Sequence, residues 1–165
     1  MSTINVDNIK DGAGGNNVAM PGHVVQVVEK VSTASNTFTA NSYADHDELA
    51  ITPKFSTSVM YLTFTGRVEY GNQLANQERS RGGFKWNRFV GGSSAGSHNH
   101  STEQFQSNGV SNNNSLEYAF TVTYSVFDTP ATGDEITYKL QVINSQTDND
   151  FSVSHGQITI MEIAQ

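Results

Sequence analysis

Two histidines separated by a single residue, His98 and His100, are the residues whose type and spacing point most directly to chemistry. On an extended backbone the side chains of i and i+2 project to the same side, so both imidazoles can face one metal ion. Two ligands make an incomplete shell. Three copies of the chain meeting on a threefold axis would supply six nitrogens, an octahedral set for a transition metal. The competing reading is an exposed polar loop that holds two histidines. His23, His46 and His155 stand alone and read as surface or turn residues.

Carboxylates gather in two places, at Asp45, Asp47 and Glu48 and at Asp128, Asp134 and Glu135. Glycoside hydrolysis needs two carboxyl groups facing one sugar bond, one of them with a raised pKa. Neither group comes with an aromatic platform or an apolar setting, so both read as solvated turn carboxylates. The glycine-rich stretch 91–97 lacks the lysine of a phosphate loop. The chain is therefore expected to be no enzyme. Arg79, Arg81, Phe84, Lys85, Trp86, Arg88 and Phe89 interleave charge with aromatic rings. Such a mixture can hold a glycan or an anionic polymer by stacking and charge. The preferred reading is a strand with its aromatics inward and its arginine stems across the rim.

The elements that position these residues are strands. In 59–70, Met60, Leu62, Phe64, Val68 and Tyr70 share one face, as do Tyr118, Phe120, Val122, Tyr124 and Val126 in 117–127. Ile136, Tyr138, Leu140 and Val142 line up in 135–143, and 157–164 carries Ile158, Thr159, Ile160 and Ile163. Shorter candidates are 24–29, 84–90 and 150–154. Polar turns separate them, so the chain reads as an antiparallel β-sandwich, with jelly-roll and immunoglobulin-like topologies both fitting. Absent cysteine and a single Trp86 weaken the second. The other face of 117–127 carries Ala119, Thr121, Thr123 and Ser125, and that of 59–70 offers Tyr61, Thr63 and Thr65. A solvated sheet face normally collects Lys and Glu. Small uncharged residues suit a face against which another subunit lies, although a plain polar surface explains them too.

Two regions fall outside the sandwich, which spans 23–165. Residues 1–22 form an arm with one weak strand (Ile4, Val6, Ile9) and a glycine-rich linker; so short a strand frays or docks on a neighbour. Residues 91–116 form a long polar insertion, and loops of such length are functional or disordered.

The 165-residue chain is long enough for one domain with a real core. Only 15% of residues are charged, against about a quarter in an average domain, a habit of proteins that pack beside copies of themselves. A net charge of −7 argues against nucleic acid as a partner. No apolar run is long enough to enter a membrane, and no secretory signal is visible.

Phe127-Asp128-Thr129-Pro130, then Glu135-Ile136-Thr137-Tyr138-Lys139-Leu140-Gln141-Val142, then Ile158-Thr159-Ile160-Met161-Glu162-Ile163 resemble the ending of a family of phage tail and head fibre domains, frequent in viruses of marine bacteria. Ser2 to Ile9 resembles the leader of those proteins, Pro21 to Val27 the start of the domain, and Leu49 to Ser58 the turn before a long strand. The resemblance implies a homotrimeric jelly roll of the tumour-necrosis-factor-like kind in the virion of a tailed bacteriophage. It does not extend to 91–116. Apart from the resemblance, Asp128-Thr129-Pro130 is a turn initiator, and Glu162 is an acid in an apolar strand that needs a partner.

A fibre or appendage module, touching a host glycan or receptor through its loops and other virion proteins through its arm, is the expected function. The alternative is a capsid decoration protein that clamps the shell. Within 91–116, Ser97, Asn99, Asn108 and Asn112 can donate and accept hydrogen bonds and Phe105 can stack, which marks a recognition loop. The expected location is the particle surface, after assembly in the host cytoplasm. No cofactor is expected beyond a metal ion on the threefold axis.

Overall fold

The computed structural model describes residues 20–39, 41–70, 79–98, 105–108, 118–145 and 151–165. Period-two alternation builds nine strands there and no helix: β1 (Val24–Phe38), β2 (Ala44–Ile51), β3 (Val59–Tyr70), β4 (Arg79–Val90), β5 (Ser93–His98), β6 (Phe105–Asn108), β7 (Tyr118–Asp128), β8 (Ile136–Asn144) and β9 (Phe151–Ile163). They pair antiparallel in two sheets, β1-β9-β3-β7 and β2-β8-β4-β5, with β6 also on β4. The sheets form a sandwich whose inner faces carry the residues expected to be buried. Met60, Leu62, Phe64 and Val68 of β3 face Ile136, Tyr138, Leu140 and Val142 of β8 across a single core. Phe64, Phe84 and Tyr124 run through it with ring centroids 5.5 and 5.8 Å apart.

Several expectations are corrected. The acidic stretch Asp45-His46-Asp47-Glu48 belongs to strand β2, which a bulge between Asp45 and Asp47 conceals from any period-two search. His46 is buried rather than on the surface, edge-on to Phe38 and Phe64. Strand 24–29 continues to Phe38 because β9 is long enough to pair with all of it. The segments 150–154 and 157–164 are one strand, interrupted by a bulge where His155 takes a φ of 47°. The insertion 91–116 is not one loop: β5 and β6 lie within it, both paired with β4.

The sandwich has two distinct ends. Gly22 donates to the Ala164 carbonyl at 2.8 Å, and Ala164 donates back to the His23 carbonyl at 2.9 Å, so the segment entering β1 and the segment leaving β9 meet at one of them. The turn 52–58, the β4–β5 turn and the segment 129–135 lie at this same end. At the far end Phe38 and Tyr70 both pair with Phe151, and Arg79 pairs with Asn108. The connections 71–78, 109–117 and 146–150 leave from there.

Phe64 folds its ring over two glycines, Gly66 and Gly156. A Cβ on Gly156 would strike that ring and stand 2.8 Å from the Thr65 carbonyl oxygen, which no rotamer change relieves. Gly156→Ala should therefore lower stability by about 1–3 kcal/mol, the usual cost of overpacking a core, measured by urea unfolding. An effect near zero would show that the two strands separate freely there.

Burial pushes the His46 imidazole below its ordinary value of 6.5, with Asp47 acting weakly the other way. Among the described residues neither ring nitrogen has a hydrogen-bond partner. The unfolded chain takes up this proton near pH 6.5 and the folded chain resists it, so the contribution is complete above pH 6.5 and is lost below it. Between pH 7.5 and 5.5 the wild type should lose up to about 1.4 kcal/mol more stability than His46→Leu does. Parallel losses in the two proteins would assign the acid sensitivity elsewhere.

Candidate interaction surfaces

Two carboxylates turn into the sandwich near the end where the chain starts and stops. Glu162, on the inner face of β9, is completely buried. It accepts hydrogen bonds from the backbone N–H of Lys54 (2.8 and 3.0 Å) and Phe55 (3.0 Å), from Ser58 Oγ (2.7 Å) and from Gln26 Nε2 (2.7 Å). Gln26 also donates to the Thr52 carbonyl at 2.7 Å. The acid thus finds the partners it needs in the turn 52–58, whose amides converge on it as on a bound anion.

Asp128 is the second, and the sequence reading of it as a solvated turn residue is wrong: it is 3% exposed. Arg88 Nη1 donates to both of its oxygens at 2.8 and 2.9 Å, and Tyr138 donates its hydroxyl at 2.7 Å. Burial first, and the neighbouring Asp128 second, push the Tyr138 hydroxyl far above its usual range, so it remains a donor. Arg88 Nη2 reaches on to the Ala95 carbonyl at 2.7 Å, and Tyr124 donates to the His98 carbonyl at 2.9 Å. A Cβ on Gly96 would come 3.3 Å from Arg88 Nη2, so the missing side chain leaves room for the guanidinium. This cluster ties β5 to β4, β7 and β8 together.

His98 belongs to it. Its Nε2 lies 2.9 Å from Asp128 Oδ1, close enough for an ion contact but not aligned as a hydrogen bond. His100, Asn99 and Asn112 lie outside the described residues. Among the described residues no three His, Cys, Asp or Glu side chains converge as a metal site. Ser97 is exposed on β5 opposite Asn87, while Phe105 and Asn108 lie on β6 opposite Gly82 and Arg79. Three of the five recognition positions are therefore on strands.

The basic and aromatic stretch divides between two faces of β4. Phe84 and Trp86 are buried and Arg88 turns in to Asp128, while Lys85 lies over the Tyr43 ring at 4.1 Å. The outer face of this second sheet is charged. Lys139 bridges Asp45 (3.1 Å) and Glu48 (3.3 Å) and stands 5.2 Å from the centre of the Phe89 ring. The hydrogen bond from Gln141 holds Asp45 below the usual carboxylate range; loss of solvation, second in size, opposes it, and Lys139 adds to the lowering. Asp134 and Glu135 line a shallow groove of about 380 Å³ with Phe89, Gly91 and Gly92.

The outer face of the first sheet differs. Val27 pairs with Met161, Met161 with Tyr61, and Tyr61 with Phe127, one apolar row across all four strands. Val27 and Phe127 are 51% and 64% exposed. The next row toward the chain start is Val24, Ile163 and Val59. Toward the far end come Ser125, Thr63 and Thr159, then Thr123, Thr65 and Gln157, with Glu29 and Val31 on β1. Sequence patterning identified the threonine rows. It missed the apolar row, since Phe127 and Val27 were counted in a turn motif and a short strand.

No protein-family model and no curated protein sequence matches the chain. Solved virus particles do. A T=1 particle derived from infectious bursal virus is 9% identical with a TM-score of 0.52, over 98% of this chain and 36% of that one. The Gt strain of infectious bursal disease virus gives 10% identity and a TM-score of 0.50, over 95% and 37%. The T13 particle of that virus gives 8% and 0.50, over 98% and 36%. The chain spans little more than a third of the proteins it matches, and at these identities the likeness is one of fold.

Arg88→Met would leave the Asp128 carboxylate buried with only Tyr138 to donate to it. The expected loss is about 3–5 kcal/mol by urea unfolding, and the double variant Arg88→Met, Asp128→Leu should recover a large part of it. A single variant that loses under about 1 kcal/mol would mean that water reaches this carboxylate.

Proposed function

We propose that this chain is a non-enzymatic structural module of a tailed-bacteriophage virion, a homotrimeric jelly-roll appendage displayed on the particle surface after assembly in the host cytoplasm. The observation that carries the reading is the polarity of the sandwich. Both ends of the domain leave from one end, which suits mounting through residues 1–22, and long connections leave from the other. The strand orders β1-β9-β3-β7 and β2-β8-β4-β5 are those of two interlocked Greek keys, which supports the jelly roll. The resemblance of both chain ends to phage fibre domains supports the virion setting, as does a fold shared with virus particle proteins. The contrast between a charged outer face and one whose rows nearest Gly22 carry no charged side chain supports self-association through the latter.

In this reading host contact belongs to the far end, where Asn108 closes β6 and Asn112 lies in the following connection 109–117. Connections of this kind tolerate change while the sandwich holds them in place, and three copies multiply weak contacts with a glycan or receptor. The decoration reading has one observation in its favour, the exposed apolar row near the mounting end, a surface that would also seat on a shell.

Electron microscopy of intact particles bearing gold-labelled antibody against this chain tests the setting. Label on projecting fibres is the expected result; label spread evenly over the head selects the decoration reading, and unlabelled particles reject both. Replacing 109–117 by a short Gly-Ser bridge should reduce adsorption to host cells without changing the melting temperature, and unchanged adsorption would remove the far end from recognition.

A further inference from the structure

Four strands of the first sheet bring together side chains that are far apart in the chain: Val27, Met161, Tyr61 and Phe127 in one row, Val24, Ile163 and Val59 in the next. Tyr61 and Phe127 rings meet at 4.7 Å, so the row is continuous rather than scattered. The row is about 14 Å wide, three strand spacings of about 4.8 Å. The apolar rows with the threonine rows beside them, a patch whose charged member is Glu29, cover on the order of 500 Å² before side-chain relief, the same order as one partner's share of a stable protein interface, about 800 Å². A partner of protein size fits it.

Charge selects which protein. The chain carries a net charge of −7, so two copies repel each other except through a surface free of carboxylates. The two apolar rows are such a surface. Glu162 beside them faces inward and is fully bonded, and Glu29 in the following row receives a hydrogen bond from Gln157 at 3.0 Å. Arg67 and Glu69, paired with each other at 2.7 Å, lie toward the opposite end of β3. The charged outer face of the other sheet offers no comparable area.

We infer that copies of this chain are held together at the mounting end, by the apolar rows Val27–Met161–Tyr61–Phe127 and Val24–Ile163–Val59, and that the far ends are not part of the contact. The inference rests on the self-association part of the proposed function and adds where the contact lies. Its consequence is geometric. Met20, exposed just before β1, comes beside its counterparts in the other copies. The far connections are left free.

Light scattering at micromolar concentration tests this with three variants of the full chain. The wild type is expected at about three times 17.9 kDa. Val27→Lys and Phe127→Lys, both on highly exposed positions, should each reduce the mass threefold with an unchanged circular-dichroism spectrum. Thr121→Lys, on the same face opposite Arg67 and beyond the threonine rows, should leave the mass unchanged. Loss of assembly in Thr121→Lys, or a full-mass assembly in either apolar-row variant, overturns the location. A monomeric wild type instead rejects self-association itself. The chain has no cysteine, so Met20→Cys gives a readout independent of the lysine variants. Mild oxidation should link copies by disulfides in more than half of the chains, and the absence of linked chains from an assembled protein overturns the mounting-end contact. Assembly that survives both lysine substitutions but disappears when residues 1–19 are removed would transfer the contact to the arm.

Discussion

The carboxylate of Asp128 stands between the two sheets, and much of one corner of the molecule is arranged around it. Taking such a charge out of water costs several kcal/mol, and only well-placed donors offset that. Here β7 supplies the acid, while β4 and β8 of the opposite sheet supply Arg88 and Tyr138. Because Arg88 has donors to spare, satisfying Asp128 also aims a guanidinium at the Ala95 carbonyl and fixes β5 beside β4. Glu162 repeats the arrangement on β9 with backbone amides from the turn 52–58. Both acids act as struts at the end of the sandwich where Gly22 and Ala164 meet.

With the inner faces committed to the core and these struts, the outer faces are left for partners, and they differ. One carries Lys139, Asp45 and Glu48 in a bonded net that keeps it solvated. The other shows threonine, serine and an apolar row that no described residue covers. In a strongly acidic chain the second face is the one that neighbouring copies can share without repulsion. Under the proposed function, assembly belongs to that sheet face and contact with the outside to the connections at the far end.

Sequence patterning located β3, β7 and β8 and chose their buried faces correctly, because each is an unbroken alternation and alternation directly encodes a half-buried strand. It lost β2, where one bulged residue at His46 reverses the phase, and it lost β5 and β6, whose serines, glycine and asparagine have turn-like character and become strands only through pairing with β4. The candidate sites divide the same way. Glu162 stood out as an acid among isoleucines, and its need for partners was plain. Asp128 did not, since an Asp before Thr-Pro has the composition of a solvated turn.

Composition, charge and strand periodicity are properties of neighbours in the chain, and from them came the all-β sandwich, the uncharged outer face and the expectation that copies assemble. What tertiary structure alone decided depends on distant residues becoming neighbours. Asp128 and Arg88 are 40 positions apart, and nothing local to either predicts their meeting. Val27, Met161, Tyr61 and Phe127 form a row only because β1, β9, β3 and β7 pair in that order and register. Register is set by the whole core at once, which is why the surface it creates cannot be read from any one strand.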